Sequence, residues 1–113
     1  MEQTIEQRVK NIVEILDLKK AEEIEVFDLA DKGYIANQVV VTTALNNKHS
    51  LALLDNLKEE LKPKGEEFIR TEEDGDWTII DLGDILVHIM TKEYRERYSL
   101  DEFLKEFNTA DQE

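Results

Sequence analysis

The chain has 113 residues, room for one domain and one modest core. Its 41% hydrophobic content suits a globular fold, while a formal net charge of −13 argues against bare nucleic acid and anionic membranes as partners, since both need a basic patch. There is no cysteine, which excludes disulfides and thiol catalysis, and no apolar run long enough to cross a bilayer.

The first residues, MEQTIEQRVK, are polar and amphipathic rather than a signal peptide, so a cytoplasmic location is expected. Ile5, Val9, Ile12, Val13 and Leu16 recur at helical spacing and predict a helix from residue 4 to about 19. Thr4 with Gln7 three residues on fits a capping box. Glu23 to Leu29 reads as a strand with Ile24, Val26 and Asp28 on one side. Asp31-Lys32-Gly33 reads as a turn, and the β-branched run from Tyr34 to Leu45 as a buried second strand. Asn46 to His49 is a polar connection into a helix from about Ser50 to Leu61, with Leu53, Leu54, Leu57 and Leu61 as its stripe. Pro63-Lys64-Gly65 ends it. A short strand around Phe68 to Thr71 precedes an acidic turn from Glu72 to Asp76. Glu93 to Arg97 fits one helical turn, and Leu100 to Phe107 a last short helix with Leu100, Phe103, Leu104 and Phe107 on its apolar side. Residues 1–107 then form a single domain, and 108–113 a frayed tail. The order calls for an α+β fold, an α/β sandwich with a mixed sheet of about five strands and helices on its aliphatic face. The strand-helix-strand passage from Tyr34 to Thr71 is a candidate parallel pair.

The densest signal is WTIIDLGDILVHIM, residues 77 to 90. Two β-branched runs flank Gly83-Asp84, which predicts a hairpin with a two-residue turn. In that register Asp81 faces Leu86, Ile79 faces His88 and Trp77 faces Met90, all on one side of the sheet. Thr78, Ile80, Leu82, Ile85, Val87 and Ile89 lie on the other. One side is almost wholly aliphatic and calls for a core. The other carries an indole, a carboxylate, an imidazole and a thioether, a composition that suits a functional surface. The plain alternative is that Trp77 and His88 are ordinary strand residues beneath a helix. Arg95 and Tyr98, three apart just after the hairpin, are expected to share a helical face. Tyr, Trp and Arg together suit a protein interface, although Tyr98 could equally pack as a lid on the sheet edge.

Catalytic chemistry is poorly supplied. His49 and His88 are the only histidines, without the spacing of a zinc site. Ser50 and Ser99 are the only serines and look like turn or helix-start residues, so no nucleophilic triad is expected. The acidic pairs Asp74/Asp76 and Asp81/Asp84 are explained by turns, and there is no Gly-rich phosphate cradle. No metal and no cofactor are expected.

The pattern Trp77-x-x-x-Asp81-x-Gly83-Asp84-x-x-Val87-His88-Ile89, followed by Arg95-x-x-Tyr98-x-Leu100, resembles the signature of the ribosomal silencing factor family, also called RsfS or Iojap-related proteins. Val41-Thr42-Thr43 with Lys48-His49 is similar to the family's strand-to-helix segment, and the likeness covers nearly the whole chain. The sequence departs from the family pattern at Ala44 (Gly), Asn46 (Ser), Leu82 (an aromatic), Met90 (Phe) and near Leu104 (Trp). The resemblance implies a small α/β sandwich with a nucleotidyltransferase-like outline. It also implies a non-enzymatic repressor that binds the large ribosomal subunit at its universal protein fourteen and sterically blocks joining of the small subunit under nutrient limitation. Carried over, the partner-binding residues are Trp77, Asp81, His88, Met90, Arg95 and Tyr98. Two alternatives stay open at this point. One is a nucleotidyltransferase-like or magnesium-dependent phosphoryl-transfer enzyme, which would need a Gly-Ser loop where the sequence reads Ala44-Leu45-Asn46. The other is a homodimer that uses the Trp77 face on itself.

Overall fold

The computed structural model describes residues 4–30 and 36–110, with side chains as far as 106. The predicted Asp31-Lys32-Gly33 turn, and Tyr34 where the second strand was expected to begin, lie outside the described residues. In chain order the elements are α1 (Ile5–Leu18), β1 (Glu22–Asp28), β2 (Gln38–Ala44), α2 (Asn47–Leu61), β3 (Arg70–Glu73), β4 (Trp77–Asp81), β5 (Ile85–Thr91), α3 (Lys92–Tyr98) and α4 (Leu100–Ala110). One 3-10 turn over Lys62–Lys64 follows α2. The fold is α+β, with a five-stranded mixed sheet in the order β1-β2-β5-β4-β3.

Local chemistry sets the helix starts. Thr4 Oγ1 accepts from the Gln7 N–H at 3.1 Å, but the Gln7 side chain donates to Asn11 Oδ1, so only half of the expected capping box forms. Asn46 caps α2 by accepting from the His49 N–H at 2.8 Å, which starts that helix at Asn47 rather than Ser50. His49 braces the same corner. Its Nδ1 accepts from the Leu45 N–H, and its Nε2 lies 2.9 Å from the Lys19 carbonyl oxygen.

The β4–β5 register matches the expectation residue for residue: Trp77 pairs with Met90, Ile79 with His88 and Asp81 with Leu86. The expected parallel pair exists, but its members differ. β2 runs parallel to β5, while β3 pairs antiparallel to β4 at the sheet edge. An antiparallel β3-β4-β5 meander carries the chain back so that its most aliphatic strand, β5, lies centrally beside β2. β3 itself begins at Arg70, two residues later than expected.

The two sheet faces bury different cores. On the first, α1 and α2 bring Ile12, Leu16, Leu53, Leu54, Leu57 and Leu61 against Val40, Ile80, Ile85, Val87 and Ile89. Val26 lies on this side too, yet β1 is an edge strand and leaves it 43% exposed. On the second face, Leu104 of α4 is enclosed by Phe27, Leu29, Val39, Val41, Leu86 and Met90. Helices cover the aliphatic face as expected, and α4 adds this second cluster on the other. The last helix also runs to Ala110, past the predicted tail boundary at 108.

Arg8 ties the hairpin tip to α1. It donates twice to Glu66, at 2.8 and 2.9 Å, once to the Leu82 carbonyl oxygen at 3.4 Å, and lies 3.6 Å from the Asp84 carboxylate. The hydrogen bond to Glu66 leads in raising the pKa of Arg8 above its ordinary value.

Ile80 is fully buried in the first cluster. Truncating it to alanine should cost roughly 2–5 kcal/mol of folding stability. Denaturant unfolding checks this; a loss below ~1 kcal/mol would mean that the face assignment of β4 is inverted.

Candidate functional site

α4 packs on β1 and, through Leu104, on Val39 and Val41 of β2 and Leu86 and Met90 of β5, so it covers one half of the second face. The other half, over β4 and β3, carries Trp77, Ile79 and Asp81, each half-buried. Alternation along β4 puts these three on the same side, because Thr78 and Ile80 are held by the opposite core.

An aromatic row crosses this open half. Trp77 and His88 lie 5.9 Å apart between ring centroids, Trp77 and Tyr98 5.6 Å, and Tyr98 and Tyr94 5.3 Å, all tilted. The Trp77 indole N–H donates to His88 Nδ1 at 3.0 Å. The proton of the neutral imidazole is therefore on Nε2, which is buried and has no hydrogen-bond partner among the described residues. Burial holds the His88 pKa down to about 4. Tyr98 is 51% exposed at the end of α3. Ser99, with a left-handed φ of 48°, turns the chain there into α4.

The six residues picked out in the sequence do not form one surface. Trp77, His88 and Tyr98 come together. Asp81 is at the far end of β4, where its Oδ1 accepts from the Gly83 N–H at 2.8 Å and shapes the turn. Met90 is fully enclosed with Leu104, which removes it from direct contact with any partner. Arg95 is also withdrawn: it lies three positions before Tyr98 on α3, but it is buried where Tyr98 is exposed. Its Nε and Nη2 donate to Asp101 at 2.9 and 2.7 Å, while Nη1 donates to Thr43 Oγ1 and to the Glu23 carbonyl oxygen. Burial works against the Arg95 charge, but the Asp101 hydrogen bond and the nearby Glu23 and Glu25 outweigh it and raise the pKa. In return, the Arg95 hydrogen bond holds the Asp101 carboxyl below the ordinary range. Arg95 thus anchors the α3–α4 corner to β1 and β2 and so positions Tyr98.

One residue of this region escapes sequence reading, and one is placed differently by the structure. Tyr94 stacks on Tyr98 from four positions upstream, a spacing that signals helical neighbours. Phe103, expected on the apolar side of the last helix, is 51% exposed, because Leu104 takes the inward position. The site offers a flat apolar patch with directional polar groups in an acidic surround, suited to holding another surface.

His88 gives a signed pH dependence. The unfolded histidine takes its proton near pH 6.5, the folded one only near 4. Its contribution to stability is complete above pH 6.5 and is lost as pH falls towards 4, because the unfolded chain binds the proton first. Between pH 7 and 5 the loss should be roughly 2 kcal/mol. His88→Gln keeps an acceptor for Trp77 and removes the titration, so its stability should fall less over that interval. Parallel pH slopes in urea melts would contradict the assigned burial.

The family model described as ribosomal silencing factor during starvation matches residues 2–113. A Haemophilus influenzae protein named ribosomal silencing factor RsfS is 35% identical over 95 residues, covering 82% of this chain and 93% of its own. The maize protein named Iojap, chloroplastic, is 30% identical over 89 residues, 74% of this chain and 37% of its own. A crystal structure of a Chromobacterium violaceum protein superposes with a TM-score of 0.86 at 26% identity, covering 91% of this chain and 88% of that one.

Proposed function

The chain belongs to the ribosomal silencing factor family, and on that premise we propose that it represses translation as a cytoplasmic, non-catalytic blocker. It binds the large ribosomal subunit at universal protein fourteen, and its bulk prevents the small subunit from joining when nutrients are scarce. The observation that carries this reading is the open half of the second sheet face. A stable sheet normally covers its apolar rings, yet here Trp77 and Tyr98 remain accessible beside an acidic surround. Trp and Tyr are the residues that most often supply the central contacts of a protein interface. Trp77 is the anchor, Tyr98 extends the contact, and His88 fixes the indole through its Nδ1. Asp81 and Arg95 act as positioning residues, through the turn and the α3–α4 corner. Met90 supports the patch from beneath. Affinity and bulk are sufficient for the mechanism, with no step that needs a metal or cofactor.

Trp77→Ala should abolish co-sedimentation with isolated large subunits while leaving the protein folded. Truncation of such an anchor typically costs about 2 kcal/mol or more of binding. If this variant unfolds, or binds like the wild type, the patch is not the contact.

The charge of −13 should steer the protein towards a basic ribosomal protein. The association rate is therefore expected to fall as ionic strength rises, and stopped-flow mixing with large subunits reads it. A rate that stays flat or climbs would remove charge steering from the account.

A further inference from the structure

Thr91 occupies the N-cap position of α3, yet its side chain makes no capping hydrogen bond. The hydroxyl donates instead to Asp76 Oδ1 at 3.2 Å. A threonine that forgoes its cap gives up helix stability, here in exchange for a bond between elements. The same carboxylate oxygen accepts from the Asn47 side-chain amide at 3.3 Å, and that amide also donates to the Gly75 carbonyl oxygen at 3.1 Å. Asp76 thus joins the turn before β4, the end of β5 and the start of α2. The fit is close. Gly75 has a φ of +65°, and a Cβ there would come within 3.1 Å of the Asn47 amide. The backbone is tied at the same point, where the Thr91 N–H donates to the Asp76 carbonyl oxygen at 2.9 Å. Asp76 directly precedes Trp77, and Thr91 directly precedes α3, the helix that carries Tyr94 and Tyr98.

We propose that Asp76 is a positioning residue of the partner surface. Through Oδ1 it locks the segment entering Trp77 to the segment entering α3, and so sets how the Trp77 and Tyr98 rings meet. The inference rests on the reading of the Trp77 face as the partner surface, and adds the residue that holds that surface in shape. Arg95 fixes the far end of α3 through Asp101, and Asp76 fixes its near end. An acid that met a basic partner directly would act by its charge. Asp76 acts by its acceptor oxygen, which a neutral amide also supplies.

Variants of the full chain separate position from charge. Asp76→Ala removes the acceptor, Thr91→Val removes the hydroxyl but keeps the branched shape, and Asp76→Asn keeps the oxygen but loses the charge. The backbone bond between residues 76 and 91 remains in each, so the fold is expected to persist, and thermal melts check it. Trp77 is the only tryptophan, so its quenching by acrylamide reads the indole in the free protein. Asp76→Ala and Thr91→Val should both make Trp77 easier to quench and weaken binding to large subunits about fivefold. The double variant Asp76→Ala/Thr91→Val should be no weaker than Asp76→Ala alone, because both act through one bond. Asp76→Asn should restore wild-type quenching and binding. An equal loss in Asp76→Asn makes Asp76 a charge contact and overturns the proposal. Unchanged quenching in Asp76→Ala and Thr91→Val overturns it too, as does additivity in the double variant. If Asp76→Ala unfolds, Thr91→Val against Asp76→Asn decides, and unfolding of all of them makes Asp76 a stability residue only. A wild type that fails to bind subunits refutes the ribosomal reading alone, because the quenching comparison needs no partner.

Discussion

A two-residue turn decides which way every side chain of the central hairpin points. Gly83 takes a φ of +92°, open to glycine at no steric penalty, and its N–H is held by Asp81 Oδ1. The Leu82 N–H donates to the Ile85 carbonyl oxygen at 2.9 Å and closes the loop. Arg8 then grips the turn from α1 through the Leu82 carbonyl oxygen and Asp84. A slip of one residue along either strand would reverse its faces. Trp77 or His88 would be driven into the helix-covered core, and Ile80 or Val87 would be turned out. The surface available to a partner therefore depends on a turn nearly the length of β4 away from Trp77.

The sheet is covered unequally, and that inequality leaves the surface open. Two helices of 14 and 15 residues seal the first face. The second has α4, which packs over β1, β2 and β5, and the short α3, which bends back at Ser99. Arg95 makes this partial cover rigid by linking Asp101, Thr43 and the Glu23 backbone across three elements. With the corner fixed there, Tyr98 can reach only as far as Trp77. Breaking a buried pair of this sort leaves an uncompensated charge, so the corner resists opening. The row Tyr94-Tyr98-Trp77-His88 is accordingly preorganised, which lowers the ordering cost of association.

Strand alternation made the hairpin legible from the sequence. With Gly83 fixed as the turn, period-two spacing sorted Trp77 and His88 from Ile80 and Val87. The helical stripes of α1 and α2 were equally plain, because Leu53, Leu54, Leu57 and Leu61 all serve one core. What long-range packing decides was not legible. Nothing local to β3 says that it pairs only with β4 and leaves β5 to join β2. Met90 and Arg95 carried the chemistry of an interface, but Leu104 and Asp101, from a helix later in the chain, draw both inward. The departures from the family pattern become intelligible in place. Leu104 is enclosed at the centre of the second core, and Asn46 caps α2 as Ser would.

The central claim is that this face, by occupying the large subunit, keeps the small subunit away. Subunit association followed by light scattering tests it most directly, with the wild-type chain and Trp77→Ala at equal concentration. The wild type should suppress formation of the joined ribosome as its concentration rises, and the variant should leave association at the level seen without protein. Equal suppression by both would place the blocking surface elsewhere on the molecule, and no suppression by the wild type would contradict steric repression altogether.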